Sequence, residues 1–295
     1  MAAAARRAEW FGIGAIVSAS LLWGSTFVVI RDSLHALDPV ALVASRFAIA
    51  TLLLAGGAAW RRPRFDRPAL VGGALGGLCA AGGYLFQAVG LRFTAAGTSA
   101  FLTSTGTLFA GLMAWPLLGQ RPTAVLLCGI ALAMCGAGLL PAAGGFHMGP
   151  GEWWTLGGAG LFALQIVVLA RYAPRSDTLA LASVQAAILV LSLAPFARPA
   201  AHRVLELNPS DLCRVGYLAV AGSTLAPLLH VAAQRVLPAG RVGLLFALEP
   251  VFALLFAITA GRERFAGPWW LGAALILLGV IGVEAAALRA AKGSS

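Results

Sequence analysis

The chain has 295 residues, 60% of them hydrophobic and only 11% charged, with a mean hydropathy of +0.87. A soluble protein carries about 25% charged residues, so this composition excludes a water-soluble globular domain and points to a polytopic membrane protein. The formal charge of +10 does not mark a nucleic-acid binder, because the basic residues sit in short clusters between apolar runs, where they orient a membrane protein and meet anionic headgroups.

In chain order, ten spans of about 20 residues are predicted, each matching a hydrocarbon core of about 30 Å at about 1.5 Å per residue. They are Trp10–Ile30, Val40–Trp60, Ala69–Leu91, Ala95–Leu118, Thr123–Pro141, Trp153–Tyr172, Thr178–Ala197, Leu212–Gln234, Gly240–Ala260 and Pro268–Leu288. The opening MAAAARRAEW resembles a signal-peptide start, but the apolar run behind it lacks a clean small-residue cleavage site, so it reads as a retained first helix. Spans three and four are joined by a tight hairpin at RFTAAG, and spans eight and nine by a similar one. Tryptophans at span ends (Trp10, Trp60, Trp153, Trp154, Trp269 and Trp270) read as interfacial anchors. Gly72/Gly76 and Gly73/Gly77 give overlapping GxxxG spacings, the mark of close helix packing.

The stretch Arg92–Gly136, moved by 143 residues, meets Arg235–Gly279 without a gap, with thirteen of 45 positions identical. Arg92/Arg235, Gly97/Gly240, Phe109/Phe252, Arg121/Arg264, Gly129/Gly272 and Gly136/Gly279 are among the matches. Shared composition alone would not hold one offset across a loop, so the chain is a duplication. Glu9-Trp10 aligns with Glu152-Trp153 at the same offset, and Asp38…Arg46 with Asp177…Gln185 at a slightly shorter one. The expected units are residues 1–147 and 148–295, five spans each, together forming one membrane domain. An odd number of spans makes the second copy enter from the opposite side, giving inverted repeats. With the N-terminus cytoplasmic, thirteen Lys/Arg fall on the cytoplasmic side and seven outside, Arg46 lying within a span. That bias favours both termini inside.

Polar residues within spans are costly and should face the bundle interior. Ser99, Thr103 and Thr107 recur at i, i+4 and i+8 as one hydroxyl stripe in the fourth span. Tyr84 and Gln87 share a face of the third, and their counterparts are Pro227 and His230. Arg46 and Gln185 are mates, Trp23, Ser25 and Thr26 cluster in the first span, and Gln165 lies in the sixth. Glu249 is the most deeply placed carboxylate, followed by Pro250, which cannot donate to the carbonyl of Phe246. Each residue also has a structural reading. Hydroxyls can bond their own i−4 carbonyls, Arg46 can pair with carbonyls or an acid near the interface, and Glu249 can tie two helices. Convergence from both repeats favours a site, with Trp23, Tyr84, Gln87, Ser99, Thr103, Gln165, Gln185, His230 and Glu249 as substrate contacts. Glu249 and His230 are the coupling candidates, since both can change protonation, whereas Arg46 stays charged.

HExxH, GxSxG, Walker A and GxGxxG patterns are missing from the sequence, so an enzyme or an ATP-driven pump has no motif to rest on. Cys79, Cys128, Cys135 and Cys213 form no CxxC pair and read as small buried hydrophobes. Neither a metal site nor a cofactor is expected, and no catalytic residue.

WGSTF (Trp23–Phe27), Arg46, ALEPVFALLFA (Ala247–Ala257) and the turns Gln120-Arg121 and Arg262-Glu263-Arg264 together resemble the drug/metabolite transporter superfamily. The likeness is to its ten-helix EamA-type branch, which includes bacterial aromatic amino-acid exporters, and it covers nearly the whole chain. It implies an all-α basket of ten transmembrane helices in two inverted five-helix repeats, with spans 1–4 and 6–9 around a central cavity and 5 and 10 peripheral. Gly119-Gln120 replaces the branch's usual Gly-Glu, while Glu263 keeps the acid in the second repeat. The resulting expectation is an inner-membrane secondary transporter exporting small amphipathic metabolites, foremost aromatic or hydrophobic amino acids, by alternating access. A drug or nucleoside exporter is the rival within transport, and an intramembrane enzyme or scaffold the rival outside it. The expected partners are a small-molecule substrate and the lipid bilayer, with no nucleic acid, and the architecture is compatible with a monomer.

In a background without the native cysteines, Arg64→Cys should stay unlabelled by an impermeant thiol reagent in intact cells, while His147→Cys reacts. The reverse pattern overturns the orientation.

Overall fold

The computed structural model describes residues 2–139, 148–197, 204–262 and 267–293, and among these every regular element is helical. Among the described residues, nine helices are long and apolar enough to cross a membrane: Arg6–Ser33, Pro39–Arg61, Arg67–Gly90, Ala96–Leu118, Pro150–Arg175, Thr178–Phe196, Pro209–Gln234, Ala239–Thr259 and Trp269–Arg289. A shorter apolar helix, Ala124–Gly138, occupies the place of the fifth span, whose expected end at Pro141 lies outside the described residues. We number these ten helices as spans 1 to 10 in chain order.

Local chemistry sets where the spans begin and end. Asp38 caps span 2 by accepting the Ala41 N–H at 3.0 Å, and its repeat mate Asp177 caps span 7 through Ala180 at 3.1 Å. Asp66 and Asn208 cap spans 3 and 8 in the same way, each with a proline in the first turn, where a missing N–H costs nothing. Gly119 and Gly261 end spans 4 and 9 at φ 72° and 68°, a left-handed conformation that other residues adopt at a cost.

Span 1 lies against spans 8 and 9, and span 6 lies against spans 3 and 4. The first helix of each repeat therefore completes a bundle with the third and fourth helices of the other. Span 2 packs on span 8 and span 7 on span 3, so each second helix extends one bundle, and spans 2 and 7 also pack on each other. Spans 5 and 10 pack together and contribute no residue to the cavity described below. The Arg241 guanidinium binds both Glu9 and Glu284, which puts the two chain ends on one face. On the opposite face Arg262 pairs with Asp32 at 2.7 Å.

Between helices in lipid the hydrophobic effect is absent, so close backbone approach must supply the packing. A Cβ on Gly73 would lie 2.6 Å from the Cβ of Val184, and one on Gly77 2.6 Å from the Gln185 carbonyl, so this glycine row seats span 7. The second row of the double GxxxG, Gly72 and Gly76, faces Tyr172 and Leu169 of span 6 as well as span 7. The seam between spans 5 and 10 is built from repeat mates crossing each other: Gly129 approaches the carbonyl of Gly279, and Gly136 that of Gly272. This reciprocal contact is the pseudo-two-fold of the inverted repeat.

Trp10, Trp60, Trp153, Trp154 and Trp270 are exposed, Trp60 at 85%. Trp269 departs from the anchor reading, because at 2% exposure its ring fills the core under the first turn of span 10.

Gly136→Ala should lower thermal stability by about 1–3 kcal/mol, the range for overpacking, because its Cβ would sit 2.5 Å from the Gly272 carbonyl oxygen. Gly138→Ala has open space and should be neutral or stabilising by up to about 1 kcal/mol. Thermal unfolding in detergent compares the two.

Candidate functional site

One cavity lies between the two bundles. Trp23, Thr26, Phe27, His230, Phe246 and Glu249 line it from spans 1, 8 and 9, and Tyr84, Gln87, Thr103, Phe162, Gln165 and Ile166 from spans 3, 4 and 6. Its volume is about 30 Å³, room for about two waters. Any metabolite would need the bundles to part.

Two irregular helices build one wall. Residues Leu218–Leu225 of span 8 are wound as a π-helix, with Ala226 donating to the carbonyl of Ala221. In that register the carbonyl of Gly222 faces residue 227, a proline without an N–H. The indole of Trp23 donates to this orphaned carbonyl at 2.8 Å. Span 9 is broken at Ala247 and Leu248, which donate to carbonyls three residues back. Glu249 opens the second half-helix and Pro250 follows, as the missing proline N–H requires. Its carboxyl thus stands at a helix N-terminus, where negative charge is favoured. Span 4 is interrupted too, at Phe109, whose N–H bonds the Gly106 carbonyl at 3.1 Å.

The WGSTF segment acts residue by residue. Trp23 makes the cross-bundle bond, and a Cβ on Gly24 would lie 2.9 Å from the Ala253 nitrogen, so this glycine lets span 1 lie on span 9. The Ser25 hydroxyl donates to the Leu22 carbonyl at 2.6 Å and accepts from the Tyr217 hydroxyl at 2.5 Å. Thr26 and Phe27 face the cavity.

Of the nine residues expected at the site, seven border this one space: Trp23, Tyr84, Gln87, Thr103, Gln165, His230 and Glu249. Gln87 donates to the Thr103 hydroxyl at 3.2 Å. His230 meets Trp23 and Phe246 edge-on, at centroid distances of 5.7 and 5.0 Å. Ser99 and Gln185 are not brought there. Ser99 is fully buried one turn before Thr103, and Gln185 is wedged against Gly76 and Gly77 in the contact between spans 3 and 7. The side chain of Thr107 and the whole of Glu263 lie outside the described residues. Among the described residues Arg46 meets neither of its expected partners: its Nε donates to Ser223 at 2.9 Å and its guanidinium lies over the rings of Tyr84 and Phe47. Phe162, Ile166 and Phe246 were not singled out. Repeat symmetry carried the signal for two of them, since Ile166 is the mate of Trp23 and Phe246 that of Thr103.

The family profile described as the EamA-like transporter family matches twice, over residues 10–140 and 149–284. An "uncharacterized transporter" of Archaeoglobus fulgidus is 30% identical over 89% of this chain and 82% of its own length. A "probable terminal-alkyne amino-acid exporter" of Streptantibioticus cattleyicolor is 33% identical over 45% of this chain and 46% of its own. A solved crystal structure superposes with a TM-score of 0.75 at 23% identity, covering 94% of this chain and 98% of that one.

Trp23→Phe keeps the ring against His230 and Phe246 but leaves the Gly222 carbonyl without a donor. It should cost about 1–3 kcal/mol, the penalty for an unsatisfied buried acceptor, read as a lower unfolding temperature in detergent.

Proposed function

We propose that this chain, which belongs to the EamA-like transporter family, exports small amphipathic metabolites, foremost amino acids with aromatic or hydrophobic side chains. The observation that carries this reading is the composition of the cavity. Five aromatic side chains and Ile166 offer an apolar wall, while Gln87, Thr103, Gln165, His230 and Glu249 offer polar groups to a head group. The relative named as an amino-acid exporter supports the same substrate class. Two bundles of inverted topology meeting at a nearly closed cavity support a reading of alternating access. Rocking one against the other opens it to one face and then the other. The Asp32–Arg262 pair joins spans 1 and 9 within one bundle, so it keeps that bundle rigid rather than locking the two together.

The setting we propose is a bacterial inner membrane with both termini cytoplasmic, on the Lys/Arg bias of the loops. Export against a gradient needs a second driving force, and protonation of Glu249, with His230 as the other candidate, supplies one. A carboxyl at the broken helix can carry a proton when the substrate has left and release it when the substrate returns.

The test uses proteoliposomes with L-phenylalanine and an acidic lumen, so that protons leaving can drive the amino acid inward. The parent should accumulate phenylalanine several-fold above the external concentration. Glu249→Gln should exchange it more slowly and not concentrate it at any imposed gradient. Equilibration by the parent without accumulation overturns the coupling. A metabolite panel in which no amino acid moves but another solute does overturns the substrate class.

A further inference from the structure

Among the described residues, two ionisable side chains in the membrane interior stand without ionic partners. Arg46 is 1% exposed, and while its Nε is held by Ser223, its Nη2 has no hydrogen-bond partner. Glu249 is 5% exposed and, among the described residues, joins none of the ion pairs. Buried ionisable groups without partners are costly enough to need a reason.

The duplication provides an internal control. The mate of Arg46 is Gln185, that of Glu249 is Gly106, and that of Tyr84 is Pro227. Equivalent helices hold equivalent places in the two halves, so the fold itself demands neither charge. These three departures from symmetry meet at one place. The Arg46 guanidinium lies 4.8 Å from the Tyr84 ring centroid, and Tyr84 and Glu249 line the same cavity.

The tethers decide what moves together. Arg46 is bonded to Ser223 of span 8 and Glu249 belongs to span 9, so both charges ride with one bundle. Tyr84 belongs to span 3, in the other. Tyr84 lines the cavity and Arg46 lies behind its ring, outside the lining. Parting the bundles to admit a substrate draws Tyr84 away from Arg46. That movement uncovers the Arg46 guanidinium on the bundle that carries Glu249.

We infer that Arg46 and Glu249 are the two ends of a receptor for a zwitterion, Arg46 taking the carboxylate and Glu249 the ammonium group. The aromatic wall at Trp23 and Phe246 receives the side chain. A guanidinium suits a carboxylate by its paired donors, and a carboxylate amid aromatic faces suits an ammonium. This deepens the amino-acid reading and rests on it. It makes Arg46 a specificity determinant and gives each charge one end of the ligand.

The experiment measures uptake by proteoliposomes of three probes: L-phenylalanine, the cation L-phenylalaninamide and the anion 3-phenylpropionate. The parent should move phenylalanine at least tenfold faster than either analogue. Arg46→Gln installs what the other repeat carries at the equivalent position. It should lose at least tenfold for phenylalanine while keeping or gaining phenylalaninamide transport. Arg46→Lys, which keeps the charge, should restore part of the parent's ranking. Glu249→Gln should lose the amide and shift preference toward 3-phenylpropionate. A merely structural arginine would lower all three probes together, and that result overturns the assignment. Equal transport of phenylalanine and its amide by the parent overturns the receptor while leaving the amino-acid reading intact. If the parent moves none of the three but does move another solute from a metabolite panel, the substrate reading falls and the receptor with it.

Discussion

Everything around the cavity depends on one hydrogen bond, from the Trp23 indole to the carbonyl of Gly222. A bilayer offers no water to a broken helix, so a freed carbonyl must find its donor inside the protein. Pro227 removes the N–H that would have satisfied Gly222 in the π-helical register, and Trp23 replaces it from another helix. Several features follow. Span 1 is pinned to span 8, the Ser223 hydroxyl is presented to Arg46, and His230 lies edge-on to the Trp23 ring. The WGSTF segment is thus a structural device for mounting the site as well as part of its lining.

Symmetry governs the frame and is broken at the site. The caps at Asp38 and Asp177 and the crossed glycines of spans 5 and 10 repeat faithfully between the halves. The alternating access proposed above calls for halves that are mechanically alike, and these features make them so. A substrate with distinct ends needs the opposite. Around the cavity Gln87 faces His230 across the pseudo-two-fold, Trp23 faces Ile166, and Thr103 faces Phe246. Glycine approach in the frame and side-chain difference in the cavity divide these requirements between separate residues.

Much of the fold was readable because its rules are local or periodic. Hydrocarbon thickness sets span length, and a constant offset across a loop reveals duplication. The site was readable where symmetry could be used, so Gln87 and His230 were expected together and lie on one cavity. Ser99 shows where this ends. The i, i+4 spacing identifies the face of span 4, yet the face does not tell how deep along it the opposing bundle leaves a gap. Gln185 fails for a related reason: glycines on span 3 let that helix come close enough to enclose it. Phe162 is another kind of omission, since a phenylalanine carries no mark of function in a chain that is 60% hydrophobic.

By itself, the sequence determined a membrane protein of ten spans in two inverted copies, and which polar residues could not face lipid. These depend on transfer free energy, backbone donors and periodicity, all of which act within one helix. Only the tertiary structure decided that the first helix of each repeat completes the other repeat's bundle. It also decided that Arg46 is held by a hydroxyl 177 positions away and that its guanidinium lies against the ring of Tyr84, which lines the cavity. Those outcomes depend on how closely whole helices approach one another, which is set jointly by glycines and side chains on several spans.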